Sequence, residues 1–295
     1  MSDRDVITDE VWALIGPCFP APKATGRPPM DRRLVAEAVA WKFRTGSPWR
    51  DVPERFGNWN TIYRHFDRWA KTGVWACALE RAQQAADAQG ELDWVCSIDS
   101  TIVRAHQHAA TLPRHTQGGP SNYKNLGPEP GDHAIGRSRG GLTCKIHAVS
   151  DGKGRLLAFV LTGGQAADTS LLPEVLDQIR VPRPGPGRPR TRPDRVLADK
   201  GYPSRANRAW LAERGIKATI PDRQDQAAHR RRRGSAGGRP PAFDPEVYRG
   251  RNVIERCFAK LKQWRGIAMR TCKTARSYAA AISLAATLHW LTSKV

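Results

Sequence analysis

Apolar residues recur at helical spacing through the first part of the chain. Leu34, Val35, Ala38 and Val39 fall on one face of an amphipathic helix. The stretch WRDVPERFGNWNTIYRHFDRWAKTG then predicts a short helix, a turn at Gly57-Asn58 and a second helix. In the second helix Ile62, Phe66 and Trp69 share a face, and Asn60, Thr61, Arg64, His65, Arg68 and Lys71 occupy the rest. That pattern predicts a helix-turn-helix that packs by its apolar side and offers Arg64, Arg68 and Lys71 to a DNA groove. The competing reading is a helical hairpin with a solvated face.

From residue 92 onward the period changes. LDWVCSID is a short apolar run that ends in Asp99. LTCKIHAVSD and RLLAFVLTGG alternate around the turn DGKG and predict a β-hairpin. DTSLLPEVLDQIR predicts a helix with Asp168 as its N-cap. RVLADKGY is a strand with Asp199 at its carboxyl end, ANRAWLAERGIK a helix and ATIPD a last short strand. YRGRNVIERCFAKLK, Tyr248 to Lys262, reads as one helix. The apolar run from Ala279 to Leu291 is too short for a bilayer and predicts a core helix.

The expected fold is therefore α/β: a mixed-sheet domain over residues 91–295, preceded by an all-α helix-turn-helix region over 1–90. Three stretches interrupt the pattern, at 111–141, 181–194 and 222–243, and read as flexible loops. The last is an Arg-rich insertion.

The formal net charge of +20 changes the picture. Like charges repel within a fold, so such a surplus implies a polyanionic partner, with nucleic acid ahead of an anionic membrane. The six cysteines form no CxxC pair and no zinc-finger spacing, so they are expected to be buried reduced thiols in a cytoplasmic protein. The acidic N-terminus lacks the apolar core of a signal peptide, and no membrane partner is expected.

Asp99 and Asp199 each follow apolar residues at a strand end. In a mixed α/β sheet the carboxyl ends of strands gather ligands, so the two acids can be neighbours. A carboxylate at the edge of a core is unfavourable alone and reasonable beside a divalent cation. On the helix of residues 248–262, Tyr248, Arg251, Glu255 and Lys262 fall within an arc of roughly 60°. Val253, Ile254, Phe258, Leu261 and Trp264 fill a separate, apolar arc. Two Asp and one Glu would suit two Mg²⁺ ions roughly 3.5–4 Å apart, the arrangement used in phosphoryl transfer. An ordinary Arg251–Glu255 salt bridge on a solvated face is the plainer alternative.

SIDSTIVRAHQHAA, GRSRGGLTCKIH, ADKGY and YRGRNVIERCFAKLK, in this order behind a helical region, resemble the DDE transposases of bacterial insertion sequences, of the insertion-sequence-five type. The resemblance covers nearly the whole chain. It implies an RNase H-like catalytic domain and a metal triad of Asp99, Asp199 and Glu255. It implies Mg²⁺ as cofactor, two ions, with Mn²⁺ able to substitute. Tyr248, Arg251 and Lys262 would contact DNA around the triad, with Lys145, His147 and Lys200 as further candidates. The implied activity is binding of terminal inverted repeats, metal-dependent cleavage at the element ends, and joining of the 3′-hydroxyls to target DNA. Double-stranded DNA is the implied partner, and pairing two ends implies a homodimer or larger assembly on the bacterial nucleoid. A repressor without catalysis and a nuclease that only hydrolyses are the rival readings. The intact acids argue against the first, and the helix-turn-helix and Tyr/Arg/Glu/Lys spacing against the second.

Overall fold

The computed structural model describes residues 6–21, 30–113 and 129–292. The chain begins with α1 (Asp9–Ile15), α2 (Arg32–Thr45), α3 (Trp59–Lys71) and α4 (Val74–Ala88). Asn58 caps α3, its side chain accepting the N–H groups of Asn60 and Thr61. Ile62, Phe66 and Trp69 are buried, as the apolar spacing requires. The segment ahead of α3 is two 3₁₀ turns, Trp49–Asp51 and Glu54–Phe56, where a short helix was expected. Pro53 lies between them and cannot continue a helix from the turn before.

The sheet follows: β1 (Val95–Ala105), β2 (Gly136–Ser138), β3 (Gly141–Ser150) and β4 (Leu156–Gly163), then α5 (Leu172–Asp177), β5 (Arg195–Leu197), α6 (Arg205–Glu213) and β6 (Lys217–Thr219). β3 lies antiparallel between β1 and the expected hairpin partner β4, with β2 pairing the start of β3. β5 runs parallel to β1, and β6 parallel to β5. This is the mixed α/β sheet expected of an RNase H-like domain. β1 does not stop at Asp99. It continues to Ala105 because β3 pairs it as far as Arg104, so Asp99 sits inside the strand.

The last part comprises α7 (Gln224–Arg232), α8 (Pro245–Arg249), α9 (Val253–Lys262), α10 (Arg265–Ala268), β7 (Met269–Arg270) and α11 (Ala275–Thr292). The expected loop at 222–243 thus contains a helix, made of good helix formers and held by the pairing of Arg230 and Arg208 with Asp222. The single helix expected over residues 248–262 is broken into α8 and α9 by a 3₁₀ turn, Gly250–Asn252. The loop expected over 111–141 lies partly outside the described residues. The stretch 181–194 is irregular, but Val181 and Arg190 exchange backbone hydrogen bonds across it.

One apolar core runs through the helices and the sheet. α11 packs along α4, and two buried side chains tie this pair to β4. Trp290 donates its indole N–H to the Leu156 carbonyl at 2.8 Å, and Gln83 donates to the Leu157 carbonyl at 2.8 Å. Cys18 and Cys77 form a disulfide, against the expectation of six free thiols. Packing of the segment after α1 on α4 brings their Cα atoms to 5.9 Å, within bridging range. No helix among the described residues is long and apolar enough to cross a membrane.

Candidate active site

The parallel register of β1 and β5 pairs Val95 with Arg195, Cys96 with Val196 and Ser97 with Leu197. Carried two residues further, that register sets Asp199 beside Asp99. The two carboxylates are close enough to repel. Burial raises the Asp99 pKa, the Ser100 N–H lowers it and the Asp199 charge raises it again, leaving it above its ordinary value. Asp199 in turn accepts the Gly201 N–H at 2.7 Å. A Cβ on Gly201 would meet Asp199 Oδ1 at 2.7 Å, so a larger residue there would displace the Asp199 carboxylate.

Arg251 links Asp99 to the third acid, Glu255. Its guanidinium donates to Asp99 Oδ2 at 3.0 Å and also to Glu255 Oε1. The Arg251 side chain is 17% exposed and that of Glu255 58%, so the pairing with Asp99 is the more sheltered of the two. Burial works against the charge of Arg251, but Asp99, Tyr248 and Glu255 outweigh it and raise its pKa. Tyr248 stands on α8 with its ring 5.2 Å from that of Phe243. Lys262, at the end of α9, donates to Thr101 Oγ1 at 2.7 Å and to the Ile102 carbonyl. Both acceptors lie on β1, so Lys262 pins the helix of Glu255 to the strand of Asp99. Burial lowers the Lys262 pKa. At the other end of α9, the hairpin turn approaches so closely that a Cβ on Gly154 would meet the Val253 carbonyl oxygen at 2.9 Å. Gly154 has φ +78°, a second reason for glycine.

Cross-strand pairing of Ser100 with His147 and of Ile102 with Lys145 puts these side chains on the sheet face opposite Asp99 and Thr101. Here Lys145 donates to the Ala166 carbonyl at 2.7 Å and to Asp168 Oδ1 at 3.1 Å, and Ser100 donates to the same Asp168 oxygen at 2.7 Å. Asp168 holds the expected N-cap position, ahead of the 3₁₀ turn Thr169–Leu171 that leads into α5, but its carboxylate is turned toward the sheet and makes no cap hydrogen bond. His147 is buried against Thr162. Burial drives its pKa down to about 4, despite Asp168, so it is neutral at neutral pH.

Tyr202 escaped the reading of the sequence as a site residue, although ADKGY contains it. Its hydroxyl is buried and has no hydrogen-bond partner among the described residues. Burial raises its pKa, and the charges of Asp99, Asp168 and Asp199 raise it further, which sets it among three aspartates. Asp168 and Ser100 were also missed. Their partners come from strands and turns distant in sequence, so no local spacing marks them.

The structure thus gathers Asp99, Asp199, Arg251, Glu255 and Lys262. Lys200 is exposed beside Asp199, whereas Lys145 is buried and engaged. Arg64, Arg68 and Lys71 lie on α3, away from the sheet. Arg64 and Arg68 are exposed, with Arg68 against His65, and Lys71 is paired with Asp67 at 2.7 Å. No three His, Cys, Asp or Glu side chains among the described residues converge as an ion-binding group. The donor chemistry nonetheless fits a hard divalent cation. All three acids offer oxygen, two of them repel each other, and a cation, the Arg251 guanidinium, already bridges Asp99 to Glu255.

The sequence family described as "Transposase DDE domain" matches residues 90–290, and that described as "Putative transposase of IS4/5 family" matches residues 7–78. The chain is 34% identical over 157 residues to the "Putative transposase for insertion sequence element IS402" of Burkholderia cepacia, covering 53% of this chain and 66% of that one. It is 31% identical over 150 residues to the "Putative transposase for insertion sequence element IS6501" of Brucella ovis, covering 51% of this chain and 99% of that one. Among solved structures, the Mos1 Strand Transfer Complex aligns over 83% of this chain and 82% of that chain at 11% identity, with a TM-score of 0.24. With a DDE-domain match over residues 90–290 and an IS4/5 match ahead of it, the chain belongs to the DDE transposases of insertion sequences, in the IS4/5 family.

Proposed function

We propose that this chain binds the terminal inverted repeats of its own element, cleaves the element ends, and joins the freed 3′-hydroxyls to target DNA. The observation that carries this reading is the Arg251 guanidinium lying between the Asp99 and Glu255 carboxylates, with Asp199 beside the first. Acids from a strand and a helix share one cation, and the third, at a strand end, lies beside the first, an electrostatic setting suited to phosphoryl transfer.

In this reading Asp99, Asp199 and Glu255 hold two Mg²⁺ ions, or Mn²⁺ in their place. Bound there, the ions would supply Lewis-acid polarisation of the phosphate and activation of water. Arg251, on leaving its two carboxylates, has its fork of donors free for phosphate oxygens. Lys262 keeps α9 against β1 and so sets the spacing of Glu255 from Asp99. Tyr248 and Lys200 contact the backbone beside the cut, whereas Lys145, held by Ala166 and Asp168 on the opposite sheet face, takes no part in this contact. No side chain serves as a covalent nucleophile. Residues 1–90 grip the ends through Arg64, Arg68 and Lys71, residues 91–295 carry the chemistry, and two protomers act on paired ends.

The test uses the purified protein, a plasmid carrying the DNA that flanks its gene, and Mg²⁺ or Mn²⁺. Mapped cuts at a pair of inverted repeats, absent with Glu255→Ala, support the reading. Specific binding without cutting under either metal would favour a silent DNA-binding protein.

A further inference from the structure

At the opposite end of the sheet from the carboxylates lies an open cleft of about 900 Å³ with cationic walls. Three segments build it: the 181–194 stretch, the end of α6 and the start of β6. It is lined by Arg180, Arg183, Arg188, Arg190, Arg192, Arg214 and Lys217, with Asp194 the one carboxylate among the described residues. Two of these cations are neutralised, Arg180 by Glu80 and Arg190 by Asp194. Arg183, Arg188, Arg192 and Lys217 are exposed and belong to none of the described ion pairs.

The wall is anchored. Besides the Val181–Arg190 backbone pair, Gln84 donates to the Arg183 carbonyl at 3.0 Å. Arg190 lies over the Trp94 ring at 3.9 Å from its centroid, and Arg214 over Trp210 at 3.8 Å. Exposed like charges held together in this way repel one another, and a polyanion relieves that repulsion.

The cleft stands apart from the cutting site. Asp194 and Lys217 mark where β5 and β6 begin, whereas Asp199 lies past the end of β5. Five residue steps lead from Asp194 to Asp199, at most about 16 Å at the rise of a strand. A phosphate seated among these arginines is therefore not the one being cut.

We propose that this cleft binds the phosphate backbone of duplex DNA at a place remote from the carboxylates. It extends the reading of the chain as a DNA-cutting transposase by naming a partner surface for it. Duplex fits better than a single strand. Single-strand sites stack bases on open aromatic rings, and the rings here, Trp94 and Trp210, are already covered by Arg190 and Arg214.

The test is metal-free binding of the full chain to a duplex of arbitrary sequence across a salt series, with R183A/R188A/R192A alongside. These three side chains are exposed, and the loop's hydrogen bonds use backbone atoms at Arg183 and Arg192, so the variant keeps the fold. Each cation withdrawn from a phosphate lowers the slope of log K against log salt by about 0.9, so the variant's slope should fall by about 2.7. The duplex should also shield Arg183, Arg188 and Arg192 from an arginine-specific reagent, read by mass spectrometry. An unchanged slope overturns the proposal, as does a slope change without shielding, which would reflect bulk charge alone. Tighter binding and stronger shielding by single-stranded RNA or an acidic polypeptide would also overturn it. Because no metal and no element end is present, the outcome stands apart from whether the protein cuts. Shielding with no cutting anywhere would leave the cleft intact and count against the catalytic reading.

Discussion

Arg251 donates to Asp99 at 3.0 Å although 152 residues separate them, and the same guanidinium holds Glu255 four residues further along the chain, on α9. This one side chain links the strand and the helix that carry two of the three acids. Removing it should expose what it neutralises. In Arg251→Gln, Asp99 faces Asp199 with less compensation, and no guanidinium competes for the carboxylates. Addition of Mg²⁺ should then raise the melting temperature more in the variant than in the parent, because tighter binding to the folded state gives the larger stabilisation. Equal shifts in a calorimetric comparison would show that Arg251 does not occupy the cation position.

The helix-turn-helix reading makes a graded prediction. Arg68 is exposed and, among the described residues, its guanidinium meets a neighbouring imidazole, whereas Lys71 is tied to Asp67 at 2.7 Å. Arg68→Ala should weaken binding to the element ends by about 1–3 kcal/mol, and Lys71→Ala by less. Fluorescence titration at fixed salt measures both. Equal affinity of Arg68→Ala and the parent would remove α3 from the recognition surface.

One buried histidine and one half-buried histidine predict the acid limit of stability. Burial lowers the pKa of both His147 and His289 from the ordinary 6.5 to about 4. Both are therefore neutral in the folded protein while they protonate in the unfolded chain. Their contribution is intact above pH 6.5 and is lost as the pH falls through the window from 6.5 to about 4. Within that window each steepens the pH dependence of unfolding by up to about 1.4 kcal/mol per unit. Urea unfolding of His289→Gln should give a shallower slope than the parent there. A parallel slope would mean that His289 is charged in the folded state.

Much of this was legible because it is local. The buried face of α3, the β3–β4 hairpin and the core helix α11 follow from apolar spacing alone. The neighbourhood of Asp99 and Asp199 followed from two acids that each succeed an apolar run. What stayed hidden depends on partners far along the chain. Asp168 has the sequence of a helix cap, but Lys145 and Ser100, 23 and 68 residues away, turn it toward the sheet. Tyr202 gains meaning only when three aspartates surround it. The bridge from Cys18 to Cys77 depends on how α4 packs, which no cysteine spacing reports. The break between α8 and α9 lies at Gly250, a residue that a periodicity count passes over.

Lys262 offers a separate check on the frame of the site. Its ammonium holds α9 to β1 through Thr101 and Ile102. Lys262→Met keeps much of the packing of the stem and deletes those hydrogen bonds, each worth about 1.5–3 kcal/mol when a charge is involved. The variant should lose stability on that scale and lose cleavage rate more than end affinity. Loss of end affinity alone would make Lys262 a DNA-binding group and nothing more.

The central claim is that Asp99 serves the chemistry and not the grip on DNA. Asp99→Asn keeps the shape of the side chain and deletes its charge, so one comparison decides the matter: end binding and metal-dependent cleavage measured on the same duplex containing an element end. The account predicts affinity close to that of the parent and cleavage reduced about a thousandfold or more. Cleavage retained by the variant, or binding lost by a variant that is still folded, would contradict it.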